Sequence, residues 1–343
     1  MKDSITKLPI TLTTTLLLAA FTSLAPAQDG LKGLKGKISV DGSSTVAPMS
    51  VKAADMFLEK CPKVEVPVGI SGTGGGFKRF TIGETDISDA SRPIKLKEFK
   101  KCVENGVGFI ELPVAYDGLT IVVNKKNTWV DQLTVDQLKM IFRDDIKAKT
   151  WSDVNSEWPK KKIKIFSPGT DSGTFDYFKE VMVGKEEASI RDDMSINEDD
   201  NILVNGVANN ENAIGFFGAA YYFKNTDKLK AVKVVNKDGV AVGPAPEAIE
   251  NGSYNPFSRP LFIYVNAKSI RRPEVKVFVD FYLEHAADIA DEEGYVGLPN
   301  SLSKAARERF KKRKAGTHFI DAKGEKRTGS ITDIYHEKNL VKK

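Results

Sequence analysis

Three stretches decide how this chain is read: DGSSTVAP (41–48), SGTGGGFKRF (71–80) and SPGTDSGTFDYF (167–178). In each, a short β-prone run enters a turn of Ser, Thr and Gly that opens a helical pattern. Such a turn leaves the first backbone N–H groups of the helix without intrahelical partners, at the positive end of the helix dipole. Small hydroxyl side chains add donors, and glycine lets the backbone itself approach a ligand closely. A single turn of this kind carries little weight, because Ser and Thr cap helices everywhere. Three in one chain, two of them sharing GT-x-x-G ahead of a Phe, point to an anion site that needs no metal.

Outward from these turns, β-rich runs alternate with helical patterns, which predicts an α/β architecture. The spacing predicts a helix from Pro48 to Lys60, with Pro48 in the first turn where a missing N–H costs nothing. Strands are expected at Val64–Ile70, at TDISDA (85–90), at GLTIVVN (118–124) and at Lys162–Phe166. LKEFKKCVENG (96–106) and TVDQLKMIF (134–142) read as helices, the second with Thr134 as N-cap. NAIGFFGAAYYF (212–223) and LKAVKVV (229–235) fit strand or helix equally. RPLFIYVN (259–266) reads as a buried strand and RPEVKVFVDFYLEHA (272–286) as a long amphipathic helix.

A length of 343 residues predicts about two domains. No low-complexity linker separates them, so they are expected to be joined by crossing strands, one ending near Asn124 and one beginning near Arg259. Lobe one is then discontinuous, 37–123 plus 259–315, and lobe two is 124–258. A basic C-terminal extension, 316–343, follows.

Composition is that of an ordinary globular protein, with 41% hydrophobic and 28% charged residues. The net charge of +5 is too balanced to imply nucleic-acid binding. From Ser303 to Lys343 there are 13 Lys/Arg against 5 Asp/Glu, so the rest of the chain is net negative. A tail of this kind reads as a solvated face or as a docking element for an acidic surface. At the amino end, Lys2 and Lys7 precede an apolar, Thr-rich run to Leu24 and the sequence Ala25-Pro26-Ala27. That pattern predicts a signal peptide over 1–27, cleaved near Ala27, and a periplasmic or otherwise extracytoplasmic protein. Cys61 and Cys102 are the only cysteines, so a Cys-built zinc site is excluded, and an oxidising compartment leaves open whether they pair. The histidines, His285, His318 and His336, are scattered and read as structural or surface residues.

Known phosphate-loop motifs fail on these turns. SGTGGGFKR lacks the GK[ST] ending of a nucleotide loop and the third glycine of a dinucleotide fingerprint. Ser172 has no neighbouring histidine to act as base, and no G-x-S-x-G elbow occurs, so an exported phosphatase-like hydrolase is the weaker alternative.

DGSSTV, SGTGGGFKRFTIGETDISDASRPI, VAYDGLTIVVN, FSPGTDSGTFDYF, EDDNILVNGV, AIGFFGAAYYF and SRPLFIYV resemble, in the family's order, the phosphate-binding protein of phosphate-specific ABC importers (the PstS type). The likeness runs from about Lys37 to Leu298. It implies a two-lobed periplasmic-binding-protein fold of type II, with central sheets flanked by helices and a ligand cleft between the lobes. It also implies inorganic phosphate as ligand, ABC permease subunits as partners, a monomer, no cofactor and no enzyme activity. The family's contacts fall on Thr45 and Val46 in the first turn, where Ser44 is a further candidate, and on Thr73 in the second. They continue with Ser91, and with Ser172, Gly173 and Thr174 at the third helix start. Two departures stand out. Many relatives carry an Asp where this chain has Ser91, and an Arg where it has Pro168. Arg92 is then expected to supply the cationic contact, and Asp171 either to accept the phosphate proton or simply to cap the helix.

Overall fold

The computed structural model describes residues 31–170, 172–184 and 186–342. The signal peptide expected over 1–27 lies outside the described residues, as does Asp171. The strand predicted at 118–124 proves to be the second half of one running Phe109–Asn124, with all sixteen residues buried. Pro113, Asp117 and Gly118 interrupt the sequence pattern, since each is depleted in strand interiors. Pairing on both sides carries the strand through them. At about 3.3 Å per residue it spans roughly 50 Å.

The main sheet has ten strands. In chain order they are β1 (Val40–Gly42), β2 (Val68–Gly69), β3 (Ile87–Ala90), β4 (Phe109–Asn124) and β5 (Lys164–Ser167). There follow β6 (Ser195–Ile196), β7 (Ala213–Gly218), β8 (Leu229–Ala231), β9 (Ser258–Asn266) and β10 (Val296–Gly297). Their order is β2-β1-β3-β9-β4-β7-β5-β6, with β8 and β10 also on β4. From Phe109 to Gly118, β4 pairs antiparallel with β9; from Leu119 to Val123 it pairs antiparallel with β7. One half of the sheet therefore hangs on the first part of β4 and the other half on the second.

The helices used below are α1 (Ala47–Lys60), α2 (Gly72–Phe80), α3 (Leu96–Glu104), α4 (Gly173–Met182), α5 (Pro273–Glu292) and α6 (Asn300–Lys311). Helices α1 and α5 pack through Phe57, whose ring meets Phe278 edge-on at 5.3 Å. The ambiguous stretch 212–223 divides into strand β7 and a short helix, Ala219–Phe223. Cys61 and Cys102 are both buried and are not joined in a disulfide.

The carboxyl-terminal segment departs from the solvated extension expected of it. Thr317, His318, Phe319, Ile320, Ile331, Ile334 and Tyr335 are buried, their apolar side chains interspersed among the lysines and arginines that dominate the composition. The anchor is Glu111 on β4, which is fully buried. It accepts from Tyr264 Oη (2.9 Å), Thr317 Oγ1 (2.7 Å) and the His318 amide (2.9 Å), while Tyr335 donates to its carbonyl (2.7 Å). Burial alone would raise the Glu111 pKa. The hydrogen bond from His318 and the nearby Arg309 charge outweigh that and hold it below the usual carboxylate range.

A carboxylate with a lowered folded pKa stabilises the fold above its ordinary pKa and loses that contribution as pH falls through the folded value. Glu111→Ala should accordingly lower unfolding free energy at neutral pH by about 3 kcal/mol or more, the usual result of removing one member of a buried charged network. Urea unfolding measures this, and an unchanged midpoint would show that the segment is held by other contacts.

Candidate functional site

β1 runs directly into the first turn, whose residues Ser43 to Val46 start α1. β3 lies beside β1 and ends at Ala90, delivering Ser91 and Arg92 to the same edge of the sheet. Helix α2 begins in the second turn and comes up against β1. A Cβ on Gly76 would lie 2.6 Å from the Gly42 Cα, so only glycine permits this approach. The second turn is then tied to the end of β3: Thr73 Oγ1 accepts from the Ser91 amide (3.2 Å) and its hydroxyl bonds Ser91 Oγ (3.1 Å).

These pieces form one wall of a cleft of about 560 Å³, lined by Ser43, Ser44, Thr45, Thr73, Gly74, Ser91 and Arg92. Lys95, just beyond Arg92, lies on the same wall; Asp176, Tyr177 and Glu180 on α4 face it, and Arg259 of β9 completes the lining. The third turn reaches the first across this gap. A Cβ on Gly173 would sit 2.6 Å from the Thr45 Cα, and Thr45 Oγ1 lies 3.5 Å from the Gly173 carbonyl oxygen. Ser44 Oγ donates to Asp176 Oδ2 (2.9 Å).

Not all expected residues line the cleft. Ser44, Thr45, Thr73, Ser91 and Arg92 do. Val46 is fully buried and its amide donates to the Ser43 carbonyl (3.2 Å), within the turn. Ser172 caps α4, its hydroxyl accepting from the amides of Thr174 (3.2 Å) and Phe175 (3.4 Å). Thr174 is buried behind it. Gly173 serves as the contact between the two halves.

Arg92, expected to be the cation of the site, is engaged elsewhere. Its guanidinium makes two bonds to Glu98 (2.9 and 2.7 Å), and Glu98 also accepts from the Lys95 amide at the start of α3 (2.8 Å). The residue that sequence reasoning missed is Arg259. Nε donates to Asp117 Oδ2 (3.1 Å), Nη2 donates to Thr45 Oγ1 (2.8 Å), and Nη1 lies 3.4 Å from Glu180 Oε2. The guanidinium also sits 3.6 Å from the ring centroid of Tyr177. Asp117 is fully buried on β4, and this desolvation raises its pKa against the opposing pull of Arg259. A signal was present in the sequence: the tripeptide Ser-Arg-Pro occurs at 91–93 and again at 258–260.

Behind the first turn lies a second buried carboxylate. The Asp89 carbonyl accepts from the Ser43 amide (3.0 Å), its Oδ1 accepts from Ser50 Oγ (2.9 Å), and Oδ2 has no partner among the described residues. Tyr282 Oη approaches Ser50 Oγ at 3.2 Å. Burial pushes the Asp89 pKa up to about 7.

A two-lobed α/β binding fold with a hydroxyl-lined cleft is what this geometry defines, and the comparisons with known proteins agree. Residues 27–285 match the PBP superfamily domain. Over 303 residues, 88% of this chain and 89% of the relative, the sequence is 46% identical to protein SphX of Synechococcus elongatus. It is 43% identical to the phosphate-binding protein PstS of Staphylococcus haemolyticus, covering 80% of this chain and 84% of that one. A solved structure from Planctomyces limnophilus, described as a possible phosphate binding protein, is 45% identical with a TM-score of 0.77, covering 81% of this chain and 99% of its own. The chain belongs to the PstS-type family of the PBP superfamily.

Gly173→Ala should wedge the two halves apart, because the added Cβ would press on the Thr45 backbone, which has no freedom to yield. Small-angle scattering should record a larger radius of gyration, and an unchanged one would mean the contact relaxes locally. For Asp89, a raised folded pKa means stability that is complete below the ordinary carboxylate value and lost as pH rises through about 7. Asp89→Asn should therefore gain on wild type in urea unfolding between pH 5 and pH 8. A difference that stays constant over that range would show that Asp89 does not titrate there.

Proposed function

We propose that this protein is an extracytoplasmic solute-binding protein that captures inorganic phosphate in the cleft and delivers it to an ABC-type permease, acting as a monomer. The observation that carries this reading is Arg259. A guanidinium held by a buried carboxylate reaches into a cleft lined by hydroxyls, at the place where the first and third turns meet. Inorganic phosphate offers four oxygens to such donors and requires neither a nucleophile nor a cofactor. Relatives at 42–43% identity are named phosphate-binding protein PstS, which supports the same ligand.

In this reading Ser44, Thr45, Thr73 and Ser91 donate hydroxyls and Arg259 supplies the charge. The early amides of α2, which helix geometry leaves without intrahelical acceptors, add further donors. Each charge-assisted hydrogen bond nets on the order of 1.5–3 kcal/mol. A micromolar ligand needs only about −8 kcal/mol, so a handful of these bonds suffices after dehydration and ordering are met. The anion favours the conformation in which α4's carboxylates leave these donors open to it, which is differential binding of two conformations. Asp176 and Glu180, which engage Ser44 and Arg259, are the groups the anion must displace.

Arg259→Ala should weaken phosphate binding at least tenfold by isothermal titration, about 1.4 kcal/mol. Arg92→Ala should cost less, because its two bonds to Glu98 turn its guanidinium toward the start of α3. A larger loss at Arg92 than at Arg259 would reverse the assignment. Asp171 is the proposed proton acceptor: Asp171→Asn should narrow the preference for phosphate over sulfate, and an unchanged ratio would remove it from that role.

A further inference from the structure

A second cavity, of about 440 Å³, lies between α3, the start of β4 and the turn that follows α6, and shares no lining residue with the anion cleft. Phe99, Val103, Val107 and Phe109 supply an apolar wall. Val103 is 41% exposed, an uncovered aliphatic side chain on a helix that is otherwise polar outward. Every charged residue that lines the cavity is basic. Lys312 and Lys314 already pair with Glu308 and Glu337. Arg313 and Lys342 make no ion pair among the described residues, although Lys342 is near enough to Glu337 to help hold that carboxylate's pKa down, so two cations without a direct acidic contact line an apolar wall.

The backbone points to the same place. Arg313 has φ +51°, the only non-glycine residue at positive φ among the described residues. It lies two positions beyond the end of α6, where the left-handed conformation is usually left to glycine. An arginine held in a conformation that disfavours it is a reason to ask what its side chain does.

We propose that this cavity binds a free amphipathic anion, a single alkyl chain ending in a carboxylate. The chain lies against the phenyl and valyl side chains, and the carboxylate meets Arg313 and Lys342. The size and the mostly apolar lining with a few convergent charges suit a small-molecule site. A bare inorganic anion would leave the apolar wall wet, and an uncharged apolar molecule would leave the cations without a partner.

The test is isothermal titration of the purified protein with decanoate, with decanol and acetate as probes of each half of the ligand. Decanoate should bind saturably at one site, and both partial probes at least tenfold more weakly. Arg313→Gly should weaken decanoate at least tenfold while raising the thermal midpoint, because the backbone strain is relieved, and should leave phosphate binding unchanged. Val103→Glu, at an exposed position, should weaken decanoate to a similar degree through repulsion, and it decides the matter if Arg313→Gly proves less stable. No saturable decanoate binding, equal binding of decanol, or full affinity in Val103→Glu would overturn the proposal.

Discussion

The structure depends on the way one strand is shared. β4 offers its first ten residues to β9 and its next five to β7, so neither half of the sheet is complete without it. Its backbone polar groups are all buried and must be paired within the protein, which fixes the register on both sides. Gly118 marks the changeover, opposite Ser258 on one side and next to Leu119, which faces Gly218, on the other. A Cβ there would come within 2.6 Å of Ile249 Cδ1, so Ile249 packs over the changeover in the space a side chain would take. The cleft opens beside this point, and Asp117 and Arg259 are opposite each other in the same ladder.

That register explains why the charge of the site is so firmly placed. Arg259 is bonded to its cross-strand partner, stacked on Tyr177 and joined to Thr45, so its guanidinium has little freedom to lose when a ligand binds. Tyr295 donates to the Thr45 carbonyl (2.7 Å), which secures the first turn from behind. Rigid donors cost little to organise around an anion. Arg92 illustrates the opposite arrangement: it is equally close to the cleft, yet its two bonds to Glu98 turn it to fastening the start of α3.

Much of this was legible in the sequence because it is local. The turns at 41–48, 71–80 and 167–178 announce themselves by composition, and α1, α3 and the helix Val135–Phe142 begin within a residue of the expected starts, with Pro48 in the first turn of α1 and Thr134 capping the last. What escaped was non-local. Arg259 acquires its role only because a strand some 140 residues distant brings Asp117 opposite it; the repeated Ser-Arg-Pro marks the position but does not encode that pairing. The carboxyl-terminal segment was hidden by its own charge: its lysines and arginines dominate the composition while a few apolar side chains, Phe319 edge-on to Phe262 at 5.2 Å among them, decide where it goes. Val46 and Ser172 show the same limit on a smaller scale, since a hydroxyl or amide in a turn can serve the turn itself as readily as a guest.

The anchoring of residues 317–335 onto Glu111 also has a consequence for how the molecule is assembled. Ala90 waits for Phe262 as its neighbour, and Glu111 waits for Thr317 and His318. The half that contains the first and second turns therefore cannot finish until β9 and then Thr317 and His318 have left the ribosome, whereas the intervening half needs only β4 from upstream. Long-range pairing of this kind is slow to form. A nascent chain of this design leaves that half unfinished, and hence threadable, until about two hundred residues beyond Glu111 have been added.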